Sequence, residues 1–476
     1  YLRLINDHGR PIEALMNIGN FYRRQGHYIQ SDLAYKEVLK RQPSAIVKIN
    51  YISMLLEWGS VATAVALAEY TLKHEELSEA QRKTLIDLYL YGLNYHPERN
   101  SFELLKHLNP TAQKNPKPGA IADKKGQYRI ALVSGDFRRH SVGQFLEGFF
   151  ALDDDPRIEI YLISNVRIKD DVTADISRRF EDRFIDISGV ETNETVSLVS
   201  ALALDVAIDL SGRTSDNRLD IFKKRIAHLQ ISTLGYNFST GLACIDYLIV
   251  LEGFYSYQEA EMVRERLIEL KAPCPVNDKQ RIVSSKFPCE VSGQINLVCC
   301  SRSIRINERQ LDCWRQIAQE LNCSIEINSA SFRHEVERTY FIEKYDKILR
   351  GSDFLKLRFD QPIDNVLKRA DLTLDCFPHN SGTTLYDSVL CGVPFITRND
   401  RVSVGRLGTA IANFMGYPEW VCYSDDDYCK KVIDFFHDKK YLEYDRVSVA
   451  AKATEKLTNN RPFRLELADK IINIIS

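Results

Sequence analysis

The residues best suited to chemistry lie between Leu374 and Ile396, in the stretch LDCFPHNSGTTLYDSVLCGVPFI. Ser381, Gly382, Thr383 and Thr384 occupy a turn just before a helical pattern of Leu385, Val389 and Leu390. The N–H groups of a helix's first turn lack intrahelical partners and the helix dipole is positive there, so this turn could hold an anion such as a diphosphate. Asp387, one turn into the helix, could accept hydrogen bonds from a sugar hydroxyl and is expected to be exposed. The same hydroxyls would equally serve as plain helix caps. Apolar runs flank the turn and helix, around Leu372 and Leu374 and again from Val393. The order is strand, turn, helix, turn, strand, which is a parallel crossover unit.

Larger elements must position those residues. Residues 109–127, NPTAQKNPKPGAIADKKGQ, have no helical or alternating pattern and read as a linker. In residues 1–108, Leu15, Gly19, Tyr22, Ser31, Tyr35 and Pro43 sit at tetratricopeptide spacings, and Gly26 recurs as Gly59. Generic helical hairpins would match part of this pattern. A helix pair is expected over Ser78 to Leu108, and the whole region reads as a protein-binding or spacer module, not a catalytic one. After the linker, strands at Tyr128–Ser134, Ile158–Ile163, Phe184–Ile187, Val206–Leu210, Ile231–Gly235 and Tyr247–Val250 alternate with helices. That predicts a doubly wound parallel sheet over 128–290. A second, over 291–476, begins at Ile295–Cys300 and includes Ser324–Asn328, the crossover above and a helix from Asp425 to Phe436. The expected fold class is α + α/β: N-terminal helical (tetratricopeptide-like) repeats, then two Rossmann-like domains in a GT-B arrangement. Its active site would lie in the cleft between them, at the strand carboxyl ends where Ser134–His140 and Pro378–Thr384 fall.

Composition excludes some partners. Lys and Arg number 63 against 65 Asp and Glu, which leaves no electrostatic footprint for nucleic acid or an anionic membrane. No apolar run approaches a membrane span. The 11 cysteines all lie from Cys244 onward with no CxxC pair, and read as reduced thiols of a cytoplasmic protein with no zinc site. The chain starts at Tyr1 rather than Met, so an upstream targeting signal stays unread.

Several motifs occur in one order over about residues 128–415. They are Val133-Ser-Gly-Asp-Phe137 with His140-Ser141, Asp209-Leu-Ser-Gly212 with Thr214 and Asn217-Arg218, Leu234-Gly-Tyr236 with Ser239-Thr-Gly241, and Gly382-Thr-Thr384 with Asp387 and Gly392-Val-Pro394. Together they resemble the protein O-GlcNAc transferase and SPINDLY family, inverting glycosyltransferases with two Rossmann-like domains behind a tetratricopeptide array. The resemblance implies His140 and Arg305 as catalytic residues. It implies Thr240, Gly241, Ser381, Gly382, Thr383, Thr384, Asp387 and Arg406 as donor-binding, with no metal. Arg305 stands where the family carries a lysine that contacts the diphosphate; an arginine keeps the charge and can bind phosphate bidentately. The implied reaction moves a sugar, GlcNAc from UDP-GlcNAc, onto Ser/Thr of acceptor proteins held by the repeats. Departures occur at His228 and Asn237, each in place of a family proline, at Ile363 for a usual histidine, and at Arg302 for Asn or Gln. They leave open an alternative: a non-catalytic scaffold, or an activating partner subunit of another protein glycosyltransferase.

Overall fold

Strands covered by helices on both faces read as continuous apolar runs rather than alternating ones, and the central strands of both sheets are of that kind. The computed structural model describes residues 12–98, 101–121, 124, 126–236, 238–277, 281, 283–349, 353–360 and 362–476; Asn237 lies outside them. The chain divides into two units. One comprises Ser101–Arg281, Ala410–Tyr417 and Ala451–Ser476, and the other Tyr1–Asn100, Ile282–Thr409 and Pro418–Ala450.

In the first of these, seven strands run parallel: β1 (Tyr128–Ser134), β2 (Ile158–Ser164), β3 (Phe184–Asp186), β4 (Val206–Asp209), β5 (Leu229–Ser232), β6 (Tyr247–Leu251) and β7 (Arg266–Leu270). Their order is β3-β2-β1-β4-β5-β6-β7. β1 is central, pairing Ser134 with Ser164 on one side and Val133 with Asp209 on the other. Ile130 and Leu132 on one face join Phe463, Leu467, Ile471 and Ile475 of the helix Asn460–Ile475 in one core. Ala131 and Val133 on the other face pack with Leu219, Ile221 and Phe222. The stretch read as a linker is tied to this unit by its polar groups. Asn115 donates to the carbonyls of Leu242 and Ile245 at 3.0 and 2.6 Å, and the Ile121 N–H to that of Ile475 at 2.7 Å.

The other unit joins the repeats to the second sheet. Its strands are β8 (Asn296–Cys299), β9 (Ser324–Asn328), β10 (Leu355–Arg358), β11 (Leu372–Leu374), β12 (Phe395–Arg398) and β13 (Val421–Cys422). They run parallel in the order β10-β9-β8-β11-β12-β13. Its N-terminal part holds, among the described residues, the helices Ile12–Gln25, Tyr28–Arg41, Ala45–Trp58, Val61–His74 and Glu79–Leu93. Gly19, Ser31 and Tyr35, at tetratricopeptide spacings, meet closely: a Cβ on Gly19 would meet the Tyr35 ring at 3.2 Å and Ser31 Oγ donates to the Gly19 carbonyl at 2.9 Å. The helix Ser101–Leu108, expected to pair with Glu79–Leu93, belongs to the other unit. The repeats are not a free spacer. Trp58 stacks on Tyr340 at 4.2 Å, and Glu337 accepts from Tyr28 N at 2.7 Å and Trp58 Nε1 at 3.2 Å.

Candidate functional site

In each sheet the chain reverses its winding between two central strands, β1 and β4 in one and β8 and β11 in the other, and ligands collect beyond the carboxyl ends at such points. In the second sheet β8 leads into a 3₁₀ turn, Ser303–Arg305, while β11 leads through residues 375–382 into the helix Thr383–Leu390. Asp375 folds that connection back on itself. Its carboxylate, 1% exposed, accepts from Cys376 N at 2.8 Å, Ser381 N at 2.8 Å and Thr397 Oγ1 at 2.7 Å. Burial pushes its pKa up to about 6 against the opposing effect of these donors. Asn380, fully buried, donates to the carbonyls of Cys376 and Arg398 and accepts from Gly408 N at 3.0 Å.

The helix N-cap is Gly382, which has no side chain to cap with, and Ser381 gives its N–H to Asp375. Thr383 and Thr384 are half-buried, and their hydroxyls make no hydrogen bond among the described residues, so they are not committed to capping. Asp387, expected to be exposed, is 6% exposed because the short helix is packed on nearly every side beyond its first turn. Arg406 ends the 3₁₀ turn Ser403–Arg406 and donates to the Arg401 carbonyl at 3.4 Å.

Arg305 is half-buried and pairs with no carboxylate among the described residues; its Nη1 lies 3.5 Å from Ser301 Oγ and its Nε is buried without a partner. Arg302, three residues earlier, also lacks a carboxylate and donates instead to the phenols of Tyr91 and Tyr95 at 2.9 and 3.3 Å. His379 stacks on Tyr95 at 4.2 Å, 7° from parallel, and its Nδ1 donates to the Asn380 carbonyl at 2.9 Å. Burial and the Arg305 charge hold the His379 pKa well below its usual value, so the ring is neutral and Nε2 carries a lone pair. Sequence reasoning passed over Asp375, Asn380, His379, Tyr91 and Tyr95. An aspartate at the end of an apolar strand was the available signal for the first; the others act through partners distant in sequence.

The first sheet carries the remaining expected residues. His140 follows β1 with its side chain 40% exposed, its Nδ1 3.4 Å from Asp136 Oδ1. Asp136 is raised by burial, which the charges of His140 and Arg138 oppose. Thr240 is fully buried, and its N–H and hydroxyl both donate to the buried Glu265, at 2.7 and 2.5 Å. Its side chain therefore serves Glu265. Gly241 adopts φ +68° and a Cβ there would come within 2.8 Å of the Leu108 side chain, so the turn needs glycine. His140, Thr240 and Gly241 belong to one unit; Arg305, Ser381, Gly382, Thr383, Thr384, Asp387 and Arg406 to the other. Among the described residues no three His, Cys, Asp or Glu side chains gather as a metal site, and no helix is long and apolar enough to cross a membrane.

Comparison with known proteins agrees with this architecture. Glycosyl transferase family 41 matches residues 103–291. The chain is 25% identical over 353 residues to the Hordeum vulgare protein named "Probable UDP-N-acetylglucosamine--peptide N-acetylglucosaminyltransferase SPINDLY", covering 71% of this chain and 36% of that one. Its identity to the Arabidopsis thaliana SPINDLY protein is 24% over 344 residues, covering 69% and 37% of the two chains. The chain thus spans about a third of the length of these relatives. A variant of the Thermobaculum terrenum O-GlcNAc transferase superposes with a TM-score of 0.84 at 21% identity, covering 100% of this chain and 92% of that one, which establishes the repeat-plus-GT-B fold. In sequence the chain is thus similar to the SPINDLY proteins and in fold to an O-GlcNAc transferase, and glycosyl transferase family 41 is matched in its residues 103–291.

Proposed function

We propose that the chain is an inverting protein O-glycosyltransferase that takes GlcNAc from UDP-GlcNAc and attaches it to serine and threonine hydroxyls. The observation that supports this best is a set of uncommitted donors at one switch point: Arg305 without a carboxylate, and the free hydroxyls of Thr383 and Thr384 at a helix N-terminus. A diphosphate supplies what all of them lack, and donors of this kind stabilise the charge that develops on a departing nucleotide. In the proposed step the acceptor oxygen bonds to the anomeric carbon as the bond to the β-phosphate oxygen breaks and its electron pair leaves with UDP. The hydroxyl proton passes to His140, which Asp136 orients. The positive charge comes from Arg305 and the helix, so the reading needs no metal. A reducing, cytoplasmic setting agrees with 11 cysteines, none of them in a disulfide. Acceptor proteins held by the repeats complete the reading.

Calorimetry with UDP, UDP-GlcNAc and GDP, together with an assay for UDP release, tests it. A charge-assisted contact contributes roughly 1.5–3 kcal/mol, so Arg305→Ala should weaken UDP binding by about ten- to a hundred-fold, and Arg305→Lys should recover much of the loss. His140→Ala should lower turnover with UDP affinity little changed. If the wild-type chain binds no nucleotide, the enzymatic reading falls and the chain becomes a scaffold or activator of another glycosyltransferase.

A further inference from the structure

The repeat array touches the Arg305 turn at two separate places. Gly59, closing the helix Ala45–Trp58 at φ +85°, lies so near that a Cβ would stand 3.0 Å from the Ser303 backbone carbon and oxygen. Just beyond the last repeat helix, Tyr95 is 7% exposed and is held on several sides. Its ring stacks on His379 at 4.2 Å, the Arg305 Cζ lies 5.9 Å from its centroid, and its hydroxyl accepts from Arg302 at 3.3 Å. Tyr91 packs against it at 4.9 Å and takes the second Arg302 bond. Two guanidinium groups are thus held by phenols and a ring face rather than by carboxylates. Carboxylates would neutralise them; phenols fix their geometry and leave the charge for an anion.

We propose that Tyr95 is a positioning residue of the nucleoside diphosphate site, holding Arg305 and the His379 ring in place, so that the chain just after the last repeat helix builds part of that site. The inference rests on the anion-site reading of the Arg305 turn. Burial alone would raise the Tyr95 phenol; the Arg302 and Arg305 charges, together with hydrogen bonds to Tyr91 and Arg302, bring the group below its ordinary value.

The test is UDP and UMP affinity by calorimetry, with melting temperatures, for wild type, Tyr95→Leu, Tyr95→Phe and Arg305→Ala. Tyr95→Leu should weaken UDP binding at least ten-fold while changing UMP binding less than three-fold. Tyr95→Phe, which keeps the ring contacts, should lose only about three-fold. A purely structural tyrosine would lower the melting temperature and affect both nucleotides equally. Unchanged UDP affinity in Tyr95→Leu overturns the proposal, while loss of UDP in Arg305→Ala would still uphold the site itself. If wild type binds UDP no better than Arg305→Ala, the site reading fails first and the proposal with it. Should Tyr95→Leu not fold, Tyr95→Phe and Arg302→Gln decide: UDP affinity unchanged in both overturns the proposal, and a loss confined to UDP in either upholds it.

Discussion

At the scale of single residues, each sheet ends its switch-point strand in a buried aspartate that grips the turn after it. Asp209 accepts from Ser211 N at 3.2 Å, Gly212 N at 2.8 Å and Ser232 Oγ at 2.7 Å, and Asp375 does the same for Cys376, Ser381 and Thr397. Burial pushes both up to about 6. An unfolded aspartate titrates near about 3.9, so the native chain takes up these protons first as pH falls. The stabilisation of the neutral form is complete below about pH 4 and is lost as pH rises through 6. Asp375→Asn cannot titrate. Its stability relative to wild type, from denaturant melts, should therefore fall further behind at pH 4.5 than at pH 7.5, by about 2 kcal/mol. A difference that stays constant with pH would contradict the burial argument. The helix start at Thr383 and Thr384 was legible because its signal is local, a turn opening a helix. Asn380 was not, because its partners Arg398 and Gly408 are adjacent only once β12 and the following helix are in place.

Among elements, long buried strands were the most legible, since a run such as Tyr128–Ser134 has few alternatives. β7, β10 and β13 were missed. Each is an edge strand, and β10 has no buried residue at all, so its apolar pattern is diluted by Lys356 and Arg358. The tetratricopeptide spacing was legible too, but its docking was not: the residues that Trp58, Tyr91 and Tyr95 meet lie more than 200 positions away. The close approach of the helix Ala45–Trp58 to the Ser303–Arg305 turn gives a prediction at this scale. In Gly59→Ala the left-handed backbone alone costs about 1 kcal/mol, and the added methyl pushes on the Ser303 backbone as well. The variant should melt several degrees lower and bind UDP more weakly. Lower stability with unaltered UDP affinity would mean that the Arg305 turn holds its position without help from the repeats.

For the molecule as a whole, the repeats belong to the same unit as the second sheet. The sequence alone suggested a protein-binding or spacer module that takes no part in the catalytic fold. With Trp58 on Tyr340 and Tyr95 on His379, a chain of residues 101–476 should instead lose UDP affinity and melt lower, as calorimetry and thermal unfolding would register. Full UDP affinity in that shortened chain would restore the spacer reading. The helix Asn460–Ile475 has a different consequence. Phe463, Leu467, Ile471 and Ile475 complete the core over β1 and β2, whose own residues are made more than 300 positions earlier. Each such side chain contributes roughly 1.5–3 kcal/mol of burial, a sum comparable with the whole stability of an ordinary domain. On the ribosome, the first sheet must therefore wait with part of one apolar face uncovered while the entire second sheet is synthesised. A chaperone that shields such a face has a defined interval in which to act, beginning at β7 and ending when Ile475 clears the exit tunnel.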